Sequence, residues 1–357
     1  MVRDVDVVVV GGRIGGCLTA LRLAAQGVSV RLLESGEFPS DTLSTHFFRG
    51  DGLVRSLEDV GVLDEVLSTG APRLDCEYFS VNSGQFEQGP PQEPGRIGYC
   101  LSVRRSTLDA ILARHTAEAG VDVRTRTKVV DVLAADGVVE GVVDREGTAH
   151  RARVVVGADG RRSTVARLVG AGVEERHTPA RAMYYRYAKG WRSPDEVGPE
   201  FILDGNLFAY VFPSDGDVVC LAVSIPLADY AHADADSNGD GAAGRLERIF
   251  RANPRTADRL DAVEWVSGAF TGLPADSVWR QGSGPGWALV GDAGTAQDPW
   301  AGLGMDSAAR QAEVFGEAFA ANPDAWSATY DRLRRERTYA GFAETTDLAP
   351  DLRRLVG

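Results

Sequence analysis

The feature that most restricts the fold lies at the start of the chain. A β-branched run, Asp6 to Val10, is followed by a glycine-rich turn (residues 11–16) and then by a helical pattern of apolar residues that ends at Gly27. A second apolar run, Val28 to Leu33, ends at Glu34. Strand, tight turn, helix and strand in this order predict a βαβ unit, which needs further parallel strands to cover it.

The glycine turn has the pattern that binds phosphate in such a unit, because glycines let the backbone approach a pyrophosphate at the positive end of the following helix. Gly11 and Gly16 occupy the outer positions of the G-x-G-x-x-G frame. Its middle position holds Arg13, which either places a guanidinium on the phosphates or marks a weakened site. Glu34 can accept hydrogen bonds from both hydroxyls of an adenosine ribose and would repel a 2′-phosphate. The unit is therefore expected to bind FAD or NAD rather than NADP.

Composition narrows the class of partner. The 357 residues carry a formal net charge of -13, which argues against nucleic acid because phosphate backbones are bound by clustered Lys and Arg. The apolar run Val7 to Val10 is far shorter than the roughly 20 residues of a membrane helix, so neither a membrane span nor a signal peptide is expected. The four cysteines form no Cys-x-x-Cys pair, which indicates reduced thiols and a cytoplasmic location.

The rest of the chain alternates between helical and strand patterns. Helices are predicted over about Gly52 to Leu67 and over Ser106 to Ala119. Residues 124–156 predict a small antiparallel sheet that precedes another strand. Long strands rich in Tyr, Phe and Val from Ala182 to Ile225, with a hairpin at residues 214–217, predict a separate antiparallel sheet. The chain ends in two predicted helices. These patterns together predict an α/β fold.

Three motifs follow one another along nearly the whole chain. They are Gly11 to Glu34, then Gly157-Ala158-Asp159-Gly160 continuing to Arg167, then Gly291-Asp292-Ala293 followed by Pro299 and Gly302-Leu303-Gly304. In this order they resemble the motifs of FAD-dependent monooxygenases and related oxidoreductases built like para-hydroxybenzoate hydroxylase.

The resemblance implies a domain organisation. A Rossmann-type FAD-binding domain of three ββα layers would be discontinuous, built from residues 1–75, 98–177 and 280–357. An interleaved antiparallel-sheet domain for the substrate would take residues 76–97 and 178–279.

The resemblance also assigns cofactor contacts. Asp292 would bind a ribityl hydroxyl, and the amides from Gly302 to Met305 would begin a helix whose dipole stabilises the reduced flavin. In the stretch Val103 to Leu112, which resembles the Arg-x-x-Leu helix start of the family, Arg105 fits the FAD-contacting position and Arg104 is the alternative. The expected FAD-binding residues are Gly11, Arg13, Gly16, Glu34, Arg105, Asp159, Asp292, Pro299, Gly302, Leu303, Gly304 and Met305.

One segment resembles a bacterial, largely actinobacterial, subgroup of these flavoproteins. It runs from Phe38 to His46, and the subgroup also has Arg at the middle glycine position. The resemblance extends to Gly291–Gly294, but residues 295–297 depart from the expected pattern. His46 is the candidate acid/base residue, because imidazole titrates near neutral pH and this segment should run close to the flavin. No second residue that would orient it is visible in the sequence.

The resemblance implies a reaction. NAD(P)H would reduce FAD, and a C4a-hydroperoxyflavin would hydroxylate or epoxidise a small aromatic or unsaturated organic substrate. Because no second dinucleotide motif is visible, NAD(P)H would bind transiently or a separate flavin reductase would supply electrons. The alternatives are a flavin-dependent reductase or dehydrogenase, as in the geranylgeranyl reductase relatives, and a non-catalytic flavin-binding protein. A halogenase is less favoured, since no Trp-x-Trp-x-Ile-Pro segment occurs.

Two further sequence patterns, a calcium-loop spacing and a set of aromatic residues, do not assign individual binding residues. Residues 236–247 match the spacing of an EF-hand calcium loop, but Ala243 replaces the usual large apolar residue and no partner hand exists. No metal site is therefore assigned. The aromatic residues of the second sheet should partly line an apolar cavity and partly form its core, because side chains alternate between the two faces of a strand.

Overall fold

The structure, a computed structural model, describes residues 3–44, 46–75, 78–82, 85–88, 97–193, 198–230, 241–272 and 274–355, with the backbone alone at Tyr78 and residues 85–88. Two eight-stranded sheets with packed helices confirm the predicted α/β class. Within the described ranges, no helix is long and apolar enough to cross a membrane.

In chain order the strands are β1 (Val5–Val10), β2 (Val30–Leu33), β3 (Phe47–Phe48), β4 (Tyr78–Val81), β5 (Gln85–Gln88), β6 (Leu101–Ser102), β7 (Asp122–Arg124), β8 (Val129–Ala135), β9 (Val138–Asp144), β10 (Ala149–Gly157), β11 (Val173–His177), β12 (Arg181–Lys189), β13 (Glu200–Asp204), β14 (Leu207–Pro213), β15 (Val219–Pro226), β16 (Glu264–Trp265), β17 (Phe270–Gly272), β18 (Ser277–Arg280), β19 (Ser283–Gly284), β20 (Trp287–Leu289) and β21 (Thr295–Ala296). The main α-helices are α1 (Ile14–Ala24), α2 (Arg55–Asp59), α3 (Leu63–Ser68), α4 (Arg105–Glu118), α5 (Thr164–Leu168), α6 (Gly241–Ala252), α7 (Gly304–Ala321) and α8 (Trp326–Leu348).

The first sheet contains the predicted βαβ unit. Its strand order is β19-β20-β10-β1-β2-β7, and the five strands from β20 to β7 are parallel. Because successive side chains of a strand point to opposite faces, Val7 and Val9 pack with α1, α4 and α7, whereas Val8 and Val10 pack with β8 and β9. The helices, the parallel sheet and the antiparallel strands therefore form three layers, two of strands and one of helices, as the family resemblance implied.

The second sheet has the order β16-β12-β15-β14-β13-β4-β5, with β17 also paired to β12. The aromatic residues lie on its two faces: Tyr185 and Tyr187 share a cluster with Phe47, whereas Tyr184 and Trp191 pack toward α6. The predicted hairpin is present between β14 and β15. The strands of this sheet lie within residues 78–88 and 181–272, and the exact domain boundaries given above stay a prediction.

One predicted helix is broken. Instead of a continuous helix from Gly52 to Leu67, the chain forms a π-helical turn (Gly50–Val54) that leads into α2, and α3 starts only at Leu63. The interruption lies at Gly61, whose φ of 74° is left-handed and ends a helix. The apolar spacing continued across this break, which is why periodicity alone did not reveal it.

Candidate functional site

The glycines of the first turn have different tasks. Gly11 has a φ of 103°, and a Cβ there would lie 2.4 Å from the carbonyl oxygen of Ala158 on the neighbouring strand connection. A Cβ at Gly16 would lie 1.8 Å from the carbonyl oxygen of Gly11. Gly16 therefore permits α1 to pack against the end of β1, while Gly11 and Gly15 face the cavity that opens at the turn.

Glu34 closes one side of the same turn. Its Oε2 accepts a hydrogen bond from the Gly12 amide at 2.7 Å, and its Oε1 accepts one from the Gly36 amide at 2.8 Å. These bonds fix the carboxylate at the carboxyl end of β2, where it also lines the cavity. Such a fixed acceptor is suited to hold the hydroxyls of a ribose.

Arg13 and Arg105 meet at a buried carboxylate. Both guanidinium groups bind Asp109 of α4, and both arginines line the cavity. Arg104 instead donates to Asp215 in the turn between β14 and β15, at 3.0 and 2.8 Å. The structure thus brings Arg105, and not its neighbour Arg104, to the glycine turn.

Asp159 of the second motif supports the helix that follows it. One carboxylate oxygen accepts hydrogen bonds from the amides of Thr164 at 2.7 Å and Val165 at 3.1 Å, and the other accepts one from the Ser163 hydroxyl. These bonds cap the start of α5. Asp159 lies on the cavity wall with both oxygens engaged by the protein.

Arg161 ties the second motif to the third. Its guanidinium donates to the backbone oxygens of Asp276 at 3.3 Å and Gln297 at 2.5 Å. Its Nε lies 3.9 Å from Oδ2 of Asp292, whose partly exposed side chain faces the cavity. Asp292 therefore faces the cavity, and its bond to a ribityl hydroxyl stays a prediction.

The third motif ends in the start of α7. Asp298 caps the turn at Pro299 by accepting a hydrogen bond from the Trp300 amide at 3.1 Å, and Gly302 has a left-handed φ of 67°. Pro299, Gly302, Gly304 and Met305 line the cavity, together with the N-terminal end of α7. Leu303 instead points its side chain toward Gly341 of α8.

His46 lies outside the cavity. Its ring is fully buried, its Nε2 lies 2.8 Å from the Tyr187 hydroxyl, and it meets the ring of Tyr185 edge to face at 5.1 Å. Tyr185 forms the cavity wall in front of it. Burial lowers the pKa of His46 to about 3, and the positive charge of Arg105 adds to this effect. A neutral imidazole behind a tyrosine is placed to orient that wall, and His46 is not among the residues that line the cavity.

The second sheet supplies the wall opposite the glycine turn. Met183 and Tyr185 of β12 line the cavity, and Tyr185 stacks on Phe270 at 4.7 Å. Burial raises the pKa of Tyr185, so its hydroxyl stays protonated. Arg181 also lines the cavity and is buried, and it donates hydrogen bonds to neutral oxygens of Ser224, Asn206 and Ala349.

Sequence patterns missed several cavity residues. They are Gly15, Arg161, Arg181 and Gln297. The patterns also missed Asp109, which is closed off from the cavity and binds Arg13 and Arg105. Asp109 alone had a local signal, because it follows Arg105 by four residues and such pairs face each other on a helix. Arg181 and Gln297 reach the cavity only through sheet packing. The calcium-like segment falls mostly outside the described residues, and Glu247 at its end pairs with Arg186 at 2.6 Å.

The cavity has the size of a cofactor site and both polar and apolar walls. Its volume is about 1000 Å³. That value lies at the upper end of the roughly 300–1,000 Å³ of small-molecule sites. It extends from Glu34 and the glycine turn past Asp292 to Tyr185. The residues therefore fit a dinucleotide at one end and a ring system at the other.

Comparison with known proteins agrees with this geometry. The FAD binding domain family matches residues 4–342 of the 357-residue chain. The chain belongs to this family. It is an FAD-dependent oxidoreductase of the type built like para-hydroxybenzoate hydroxylase, which confirms the class expected from the three motifs.

Two curated relatives have different activities. A rifampicin monooxygenase from Rhodococcus hoagii is 34% identical over 173 residues, which are 47% of this chain and 34% of that protein. The match thus spans about a third of that relative's length. A digeranylgeranylglycerophospholipid reductase from Methanosarcina acetivorans is 26% identical over 329 residues, which are 88% of this chain and 74% of the reductase.

Solved structures share the fold. PqsL from Pseudomonas aeruginosa, solved in complex with 2-aminobenzoylacetate, gives a TM-score of 0.80 at 22% identity and covers 97% of this chain and 94% of its own. The flavin-dependent brominase Bmp2 gives a TM-score of 0.79 at 23% identity and covers 92% and 82%. At these identities the likeness concerns the fold alone.

Proposed function

We propose that this FAD-binding protein is a monooxygenase that hydroxylates or epoxidises a small aromatic or unsaturated organic substrate. One observation carries the proposal: a single cavity joins the glycine turn at Gly11 to an aromatic wall at Tyr185. Oxygen transfer requires an organic substrate held against the flavin in a space from which water is excluded. A cavity with a polar dinucleotide end and an aromatic end supports the first requirement, and the wall at Tyr185 would serve the second.

The residues of the cavity would have separate roles in binding FAD and the substrate. Glu34 and the glycine turn would hold the adenosine and phosphate half of FAD, and Asp292 would hold the ribityl chain. When bound, FAD supplies the redox chemistry, taking two electrons from the reductant and passing them to O2. The amides at the start of α7, near Gly304, would stabilise negative charge through the helix dipole. Tyr185 would cover the substrate and keep water away.

The electron source forms part of the proposal. NAD(P)H would bind transiently, or a separate flavin reductase would deliver the electrons, because no second dinucleotide motif occurs in the sequence. A cytoplasmic location agrees with Cys17 and Cys220, which are buried as free thiols. Comparing the rates of NADH and NADPH oxidation by the FAD-loaded protein would identify the preferred reductant.

A reductase is the second candidate. The observation in its favour is the match to the digeranylgeranylglycerophospholipid reductase over 88% of this chain. A reductase would transfer hydride to a carbon–carbon double bond and would consume no O2. The two activities therefore differ in the fate of oxygen.

The decisive experiment follows labelled oxygen. FAD-loaded protein is incubated with NAD(P)H and ¹⁸O2 and a panel of phenols, aryl ketones and prenyl alcohols, and products are analysed by mass spectrometry. Incorporation of one ¹⁸O atom supports the monooxygenase. Anaerobic gain of two hydrogens by a prenyl alcohol supports the reductase instead.

Two tyrosine variants test the cavity wall. Tyr185→Leu should raise the share of NAD(P)H consumption that yields hydrogen peroxide rather than product, because water would enter the substrate end. Tyr184→Leu is the matched control, since Tyr184 is equally buried on the opposite face of the same strand. Equal uncoupling by both variants would contradict the role given to Tyr185.

A further inference from the structure

A buried carboxylate lies beside the phosphate-binding turn, where its negative charge would oppose an anionic ligand. Asp109 of α4 is fully buried, and it lies between Arg13 of the turn and Arg105 at the start of α4. An unpaired carboxylate in this position would repel a pyrophosphate. Its function must therefore come from what it does to the two arginines.

The geometry of the cluster is tight. Arg105 donates from Nε and Nη2 to Oδ1 of Asp109 at 3.1 and 3.0 Å, which is a two-bond contact. Arg13 donates from Nη1 to Oδ2 at 2.5 Å and from Nη2 to the Ser40 hydroxyl at 3.3 Å. Such charge-assisted contacts fix both the position and the plane of a guanidinium. Asp109 thus links α1, α4 and the segment around Ser40.

The cluster remains positive. Two arginines and one carboxylate carry a formal net charge of +1, and both arginines line the cavity beside Gly11 and Gly15. Arg13 stays partly accessible, with 30% of its side chain exposed, whereas Asp109 is closed off from the cavity. The wall that meets a ligand is therefore cationic although it contains an acid.

We propose that Asp109 is a positioning residue for the pyrophosphate of FAD. It holds Arg13 and Arg105 in fixed orientations on the cavity wall before the cofactor binds, which lowers the entropy lost on binding. A glycine at this position would let the backbone contact the phosphate. Arg13 makes this contact with its side chain instead. This inference rests on membership of the FAD-binding family and not on oxygen transfer, so binding measurements test it whichever reaction the protein performs.

The proposal contradicts a simple count of charges. If only net charge mattered, Asp109→Asn would remove a negative charge near the phosphates and FAD would bind more tightly. If Asp109 positions the arginines, the same variant binds FAD more weakly. Dissociation constants of the full-length protein are measured for FAD, ADP and riboflavin, since riboflavin lacks the phosphates.

The expected result is specific to phosphate. Asp109→Asn should weaken FAD and ADP by about tenfold or more, as expected when charge-assisted contacts are lost, while riboflavin changes less than about twofold. Asp59→Asn is the matched control, because Asp59 pairs with Arg22 of the same helix α1 at the surface, at 3.1 Å. This control should leave all three affinities unchanged.

Several results would overturn the proposal. Unchanged or tighter FAD binding by Asp109→Asn would do so, and equal weakening of FAD and riboflavin would show a merely structural role. If Asp109→Asn fails to fold by circular dichroism, Arg13→Gln provides the test, because that side chain is partly exposed; unaltered FAD binding then refutes the proposal. In the folded double variant, the effect of Asp109→Asn should shrink when Arg13 is already replaced.

Discussion

His46 gives a quantitative test of burial in this site, through the pH dependence of stability. The imidazole is fully buried against Tyr187 and Tyr185, and burial lowers its pKa to about 3 from the ordinary 6.5. Below pH 6.5 the unfolded chain binds a proton at His46 that the folded chain does not accept until near pH 3. The free energy of unfolding should therefore fall as the pH falls through this window.

The size of the effect follows from the two pKa values. Between pH 6.5 and pH 4.5 this one group should cost about 2 kcal/mol of stability, since each pH unit inside the window approaches about 1.4 kcal/mol. His46→Gln removes the titration and keeps a group able to hydrogen bond to Tyr187. The wild-type protein should thus lose about 2 kcal/mol more than His46→Gln over this range.

Urea denaturation at pH 4.5, 5.5 and 6.5 measures both proteins. Comparing the two slopes cancels the contribution of every carboxylate that both proteins share. Parallel curves would refute the reasoning, because they would mean that folded His46 accepts a proton near neutral pH. That outcome would restore His46 as a candidate acid or base.

Three further predictions concern single side chains. Gly16→Ala should destabilise the fold by about 1–3 kcal/mol and lower the FAD content of the purified protein, because the new Cβ meets the Gly11 carbonyl. Asp159→Ala should cost about 0.5–2 kcal/mol in urea denaturation, since it removes the acceptor for the Thr164 and Val165 amides at the start of α5. Gln297→Leu should leave the free energy of unfolding unchanged or raise it by up to about 1 kcal/mol. The reason is that Nε2 of Gln297 is buried without a hydrogen-bond partner among the described residues. A clear loss of stability would reveal a partner.

The cofactor end of the site could be predicted from local sequence. Gly11, Gly16 and Glu34 belong to one βαβ unit, in which a strand end, a turn and a helix start are set by chain neighbours. The same holds for the start of α7 at Gly304. Local chemistry therefore determined which residues form the turn and which carboxylate ends the second strand.

The roles of His46 and Arg13 required the tertiary structure. In sequence His46 had no visible partner, because Tyr187 lies 141 residues away and reaches it only when β12 packs against the segment before β3. Arg13 likewise lies 96 residues from Asp109. Long-range pairs of this kind depend on how sheets and helices pack, and spacing along the chain does not encode that packing.

The sequence by itself determined the dinucleotide half of the cavity, because glycine geometry and one strand-end carboxylate act over short distances, and the resemblance of its three motifs to a known family indicated the FAD-binding class. The tertiary structure alone decided which groups face the cavity and which are buried behind it. Arg105 rather than Arg104 reaches the glycine turn, and Tyr185 rather than His46 forms the wall, since a side chain's access to a cavity depends on every element packed around it.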